Sequence, residues 1–155
     1  MQLFHFDPQN LPAPADEDRI QTAWERFEEA AKKTTDSDPN GAHDLMPFIA
    51  TLKSDPAGAK LAAAVFGNSP FLTACWLNDP LFTKDLLLLG PTAVRDQILS
   101  ATHDGSQGLD EAQLKTHLRT QKKRIALTTA VADITGCWGL FEVTGALSDF
   151  ADAAT

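Results

Sequence analysis

Residues 54–91 read SDPAGAKLAAAVFGNSPFLTACWLNDPLFTKDLLLLGP in single-letter code, and three tripeptides within them follow one rule. Ser54-Asp55-Pro56, Asn68-Ser69-Pro70 and Asn78-Asp79-Pro80 each set a capping side chain directly before a proline. The cap accepts a hydrogen bond from an orphan amide, and proline at the first helical position gives up an amide that had no partner. Gly90-Pro91 stops one helix and starts the next. The stretch therefore predicts four short helices from about residue 56 to about residue 100, of the modest length usual in globular proteins.

Working outward, three longer amphipathic segments flank these four. Ile20, Trp24, Phe27 and Ala31 recur at helical spacing, with Glu25, Glu28 and Glu29 elsewhere on the cylinder. Residues 110–134 run without Gly or Pro, and Leu114, Leu118 and Ile125 mark a buried stripe. Leu140, Val143, Leu147, Phe150 and Ala154 keep the same period to the end. One buried face per helix is the reading of such periodicity. No segment alternates apolar and polar residues over six positions, and Pro39-Asn40-Gly41 and Asp104-Gly105 lie between helical stretches. The expected fold is all-α, an irregular bundle of about seven helices. Residues 1–15, with three prolines, read as an extended arm, and 16–155 as a single helical domain.

Composition excludes several functions. Of 155 residues, 43% are hydrophobic and 22% charged, which suits one globular domain rather than a disordered chain. No stretch of 18 or more apolar residues could span a bilayer, and the four leucines at 86–89, bracketed by Asp85 and Gly90, read as core, so no membrane partner is expected. A net charge of −8 argues against nucleic acid. The N-terminus lacks the charged and apolar regions of a secretory signal, and a cytoplasmic protein is expected. Cys75 and Cys137 form no CxxC pair, and both are expected to be small buried apolar side chains in a reducing compartment.

Few residues suggest chemistry. Asp16-Glu17-Asp18 and Asp36-Ser37-Asp38 have the Asp-x-Asp form that could hold divalent cations, yet the first caps a helix and the second sits in a loop. Gly105-Ser106-Gln107-Gly108 lacks the lysine and preceding strand of a phosphate loop and reads as a polar connection into a helix capped near Asp110. His5, His43, His103 and His117 are scattered, with His43 and His103 expected in solvated loops. One local feature stands out. Between residues 115 and 124 lie Lys115, Arg119, Lys122, Lys123 and Arg124, with no acidic residue among them. Two readings are open: a solvated helix face, or contact with an anionic ligand or acidic partner surface.

The same helix carries a resemblance. Leu118-Arg119-Thr120-Gln121-Lys122-Lys123-Arg124-Ile125-Ala126-Leu127, followed by Ala132-Asp133-Ile134-Thr135-Gly136-Cys137-Trp138, resembles the pattern of glutamine synthetase adenylyltransferases. Residues 143–154 are similar to the next helix of the alphaproteobacterial type. Val65-Phe66-Gly67-Asn68-Ser69-Pro70-Phe71-Leu72 and Asn78-Asp79-Pro80 match upstream, so the resemblance covers about residues 61–154 in order.

The resemblance implies a large bifunctional enzyme that attaches AMP to a tyrosine of glutamine synthetase and removes it by phosphorolysis. It also implies ATP and magnesium for the parent, with glutamine synthetase and PII-type signal proteins as partners. Family catalytic domains use Gly-Ser followed by Asp-x-Asp on a sheet; here Gly105-Ser106 has only Asp110-Glu111 after it, on a helix start. No catalytic, cofactor-binding or metal-binding residue is therefore carried over. The chain is expected to be the N-terminal helical lead-in to the adenylyl-removing domain, inactive alone. Arg119, Lys122, Lys123 and Arg124 are its expected contacts with the remaining catalytic domains or with phosphates. The alternative is a freestanding helical interaction module binding an acidic partner.

Overall fold

The computed structural model describes residues 1–40 and 44–155, so the expectation for His43 lies outside the described residues. Among the described residues there is no strand, and the fold is all-α. Its helices are α1 (Asp18–Asp36), α2 (Met46–Ser54), α3 (Pro56–Phe66), α4 (Pro70–Leu77), α5 (Pro80–Leu89), α6 (Pro91–Asp104), α7 (Glu111–Ile134) and α8 (Leu140–Ala153). A 3₁₀ turn at Pro8–Asn10 precedes them. The four short helices run as the proline signals predict. The addition is α2, whose start is marked by the Asp44 carboxylate accepting the Met46 amide at 3.0 Å and by Pro47 in its first turn.

Two of the three predicted caps form. The Asp55 carboxylate accepts the Gly58 amide at 2.8 Å, and Ser69 Oγ accepts the Leu72 amide at 3.1 Å. Asp79 does not cap α5. Gly90 serves as the end of α5 and the start of α6 at φ 92°, a backbone region that only glycine enters without strain.

The core is aromatic at its centre. Trp76 is fully buried, its ring centroid 5.1 Å from Phe66 and 6.2 Å from Phe27, both edge-on. Trp24 meets Phe66 edge-on at 5.5 Å, so α1, α3 and α4 share one cluster. Around it pack Phe48, Ile49 and Leu52 from α2, Leu86 and Leu87 from α5, Val94 and Ile98 from α6, and Ile125, Leu127 and Val131 from α7. The Thr83 hydroxyl donates to the Trp76 carbonyl at 2.8 Å, tying α5 to α4. Leu114 and Leu118 are only half-buried, so the first half of α7 is held more lightly than its sequence stripe predicts.

The segment ahead of α1 lies against the bundle. Phe6 and Leu11 are buried, and the Phe4 amide donates to the Leu87 carbonyl at 2.8 Å. The Asn68 side chain accepts the Ala15 amide at 3.0 Å and donates to the carbonyls of Ala13 and Ala64 at 3.0 and 2.9 Å. Gly67 lets this strap pass, since a Cβ there would sit 2.3 Å from Pro14 Cβ.

A smaller cluster joins α7 and α8: Ala132, Trp138 and Ala146, with Val143 against them. Trp138 Nε1 donates to Thr92 Oγ1 at 3.1 Å, and the Arg95 guanidinium lies over its ring at 5.5 Å. The helix at α8 forms as predicted, but its packed side differs. Ala146, the buried residue, lies about 120° around the helix from Leu140. The expected stripe is thus half covered: Val143 and Phe150 are half-buried, whereas Leu140 is 75% and Leu147 45% exposed. Phe141 is 90% exposed. Cys137 is exposed as well, against the expectation of burial, because it follows Gly136 (φ 73°) in the turn between α7 and α8. His103 is exposed but belongs to the last turn of α6 rather than to a loop.

Two buried polar atoms lack a hydrogen-bond partner among the described residues, Trp76 Nε1 and Gln121 Oε1. An orphaned group of this kind costs about 1–3 kcal/mol, whereas an apolar replacement of similar shape can be neutral. Trp76→Ala should therefore lower the free energy of unfolding by about 3–5 kcal/mol, while Gln121→Met leaves it unchanged or raises it. Denaturant titration of both variants checks this; a large loss at Gln121→Met would mean its side chain is satisfied in solution.

Candidate functional site

The basic stretch lies on α7. At about 100° per residue, Lys115, Arg119 and Lys122 share the outward side, Lys123 stands at its edge toward Asn78 and Asp79, and Arg124 turns away from them. Lys115, Arg119, Lys122 and Lys123 are exposed. Lys115 pairs with Glu111 one turn earlier at 3.1 Å, an acid just outside the stretch. Arg119, Lys122 and Lys123 have no ion pair among the described residues.

Arg124 is committed within the fold. Its Nε donates to Asp79 Oδ2 at 2.7 Å and a terminal nitrogen donates to Asp79 Oδ1 at 3.3 Å. The guanidinium also lies over the Phe82 ring, 5.2 Å from its centroid. This explains why Asp79 leaves α5 uncapped. A carboxylate gains more from two charge-assisted bonds, at about 1.5–3 kcal/mol for a bond to a charged group, than from one amide. Asp79 was legible only as a cap because its partner lies 45 residues along the chain.

Beside this pair is a pocket of about 260 Å³, walled by Cys75, Asn78, Asp79, Thr120, Lys123 and Arg124. It lies where the end of α4 and the start of α5 face α7. Burial pushes the Cys75 thiol up from its ordinary pKa, and the nearby Lys123 ammonium pulls it partly back. Asn78 also borders a larger groove between α1 and α4, of about 680 Å³, floored by Ala23, Phe66, Ala74 and Leu77, with Arg19 and Arg26 also lining it. The sequence marked Asn78 only as part of a helix start and Cys75 only as a buried side chain, as it is, and nothing local joined them to Thr120 as pocket walls.

The acidic pairs have local partners. Asp16 accepts the Asp18 amide at 3.1 Å and pairs with Arg19 at 3.2 Å; Asp38 accepts the Asn40 amide at 3.1 Å. Asp36 is the last residue of α1. Ser106 donates to the Thr102 carbonyl, and Asp110 with Gln113 forms a capping box that starts α7, as the connection reading predicts. His117 Nε2 lies 2.8 Å from the Ala101 carbonyl, joining α7 to α6. Among the described residues no three His, Cys, Asp or Glu side chains come together as metal ligands, and no helix is long and apolar enough to cross a membrane.

Residues 59–155, from α3 through α8, match the family model of Glutamate-ammonia ligase adenylyltransferase. The chain belongs to this family. The bifunctional glutamine synthetase adenylyltransferase/adenylyl-removing enzyme of Rhizobium meliloti (strain 1021) is 30% identical over 147 residues, 91% of this chain and 14% of the relative. The enzyme of the same name from Caulobacter vibrioides is 32% identical over 121 residues, 75% of this chain and 12% of the relative. That of Bradyrhizobium diazoefficiens is 34% identical over 104 residues, 66% of this chain and 10% of the relative. The chain thus spans 14% or less of the curated relatives it matches. No solved structure matches it. Every residue walling the smaller pocket falls inside the segment matched to the adenylyltransferase family.

The Asp79–Arg124 pair, half-buried on both sides, should show as coupling. A double-mutant cycle on Asp79→Ala and Arg124→Ala, read by denaturant unfolding, should return an interaction on the order of 1 kcal/mol. Strictly additive losses would mean that the pair contributes nothing beyond its separate side chains.

Proposed function

We propose that the chain is the N-terminal helical portion of a bifunctional enzyme that adds AMP to, and removes it from, a tyrosine of glutamine synthetase. In this reading it holds no catalytic site of its own. ATP and magnesium serve the nucleotidyltransferase domains of the parent, and glutamine synthetase and a PII-type signal protein are the parent's partners. The observation that carries the reading is the match itself: a family segment of residues 59–155 in relatives that are many times longer. Two surfaces are consistent with attachment to more protein. Leu140 and Phe141 leave apolar area in water on α8, and Arg119 and Lys122 project from α7 without an ion pair among the described residues.

Two-metal phosphoryl chemistry requires carboxylates that bridge the metals and the phosphate oxygens. Asp16 and Asp38 instead accept backbone amides of their own turns. Incubated with glutamine synthetase, ATP and magnesium, the isolated chain should leave the tyrosine unmodified, and added phosphate should not release AMP from the modified protein. Turnover abolished by Asp16→Ala would overturn this assignment. In the longer enzyme, changing Arg119 and Lys122 together to Ala should slow deadenylylation while the helical circular dichroism stays intact. An unchanged rate would return the stripe to a solvated face.

A further inference from the structure

We propose that the pocket between α4, the start of α5 and α7 is a binding site for a phosphoryl group, held by Lys123, Arg124 and Asn78.

Its walls are rich in donors. Lys123 brings three ammonium protons and Asn78 two amide protons, and Arg124 brings five of which Asp79 takes two. The charge is also uneven. Asp79 balances Arg124, so Lys123 leaves the pocket with one uncompensated positive charge in a chain of net charge −8. Asp79 does more than neutralise. By holding the guanidinium from one side it fixes the remaining N–H groups in place before a ligand arrives, and a preorganised donor set binds an oxyanion without the entropy loss of ordering a free arginine.

Cys75 completes the wall without opposing an anion. Burial keeps its thiol protonated near neutral pH, so it adds no negative charge. The Thr120 hydroxyl donates to the Thr116 carbonyl at 3.1 Å, which leaves its lone pairs for a protonated phosphate oxygen. The volume sets the class of ligand. At about 260 Å³ the pocket is smaller than the roughly 300–1,000 Å³ of sites that enclose a whole cofactor. It suits a tetrahedral head group with a few waters. The head group is either free phosphate or the end of a phosphomonoester whose body passes Asn78 toward the groove between α1 and α4.

The two thiols make the site directly testable in the 155-residue chain. Cys75 is in the pocket wall and Cys137 is exposed in the turn between α7 and α8. Alkylation by iodoacetamide, assigned by mass spectrometry, is followed at constant ionic strength in inorganic phosphate, in AMP or in chloride alone. Calorimetry with phosphate is the deciding readout and should show saturable binding; in mildly alkaline buffer, where more of the buried Cys75 is thiolate, phosphate should slow its labelling with the same affinity and leave Cys137 unaffected. AMP binding more tightly than phosphate would assign the site to a phosphomonoester, and equal affinity to the free anion. Lys123→Gln should weaken binding by about tenfold, as loss of a bond to a charged group does. Asn78→Ala should weaken it less, and Lys115→Gln, which removes the same charge from the outward side, should leave it unchanged. Chloride protecting Cys75 as well as phosphate does would overturn the proposal. So would a loss at Lys115→Gln equal to that at Lys123→Gln, which would reveal only a diffuse positive field.

Discussion

Trp76 meets Phe27 and Phe66 edge-on with no surface left to water, and the arrangement of the bundle follows from that contact. Its ring stands on α4, a helix of only eight residues that would not persist alone in water. The helix survives because one side chain locks it to α1 and α3, with an edge-to-face preference of about 0.5–1.5 kcal/mol per pair beyond the area buried. Once α4 is fixed, the turn after it fixes α5, through the hydroxyl of Thr83 on the Trp76 carbonyl. The position of Asn78 and Asp79, and hence of the pocket they form with α7, derives from this one buried indole.

The second constraint is electrostatic and runs across the molecule. Asp79 gives up a local role at a helix start to hold Arg124, and so joins the short helices to α7. α7 lacks a deeply buried leucine in its first half, where Leu114 and Leu118 are half-covered, and its basic side chains would otherwise leave it loosely seated there. The His117 contact to Ala101 holds that half by polar means, and the ion pair at Arg124 secures the helix just past its middle. Its second half, with Ile125, Leu127 and Val131, is held by burial. One helix therefore passes from a polar-anchored part that faces solvent to an apolar part that belongs to the core.

Local chemistry was legible in the sequence, and long-range competition was not. Proline after a cap reported α3, α4 and α5 because both signals act within four residues. The same logic misread Asp79, since a capping carboxylate and an arginine's partner look alike until the fold brings residue 124 close. The helix at α8 was legible, but its buried side was not. Periodicity finds the apolar sector of a helix, while the neighbours decide which part of that sector they cover, and here Trp138 selects Ala146 over Leu140. Cys137 misled for a related reason: free cysteine is usually a buried apolar side chain, and the positive φ of Gly136 turned this one outward. Of the pocket, Lys123 and Arg124 stood out in advance as cations, and Asp79 only as a cap. Asn78, Thr120 and Cys75 are ordinary residues made notable by where α4 ends.

The strap ahead of α1 has a consequence for the order in which the chain can be completed during synthesis. Phe4 hydrogen-bonds to Leu87, and the backbone on either side of Pro14 is pinned by Asn68. Phe4 therefore has no partner until α5 has followed it out of the ribosome. Folding here is not a simple progression along the chain: the segment ahead of α1 settles only after α5, whereas α1 to α4 can pack before it. Until then Phe6 and Leu11 stay in water, and the segment ahead of α1 is the place where a chaperone or a protease would find this region open.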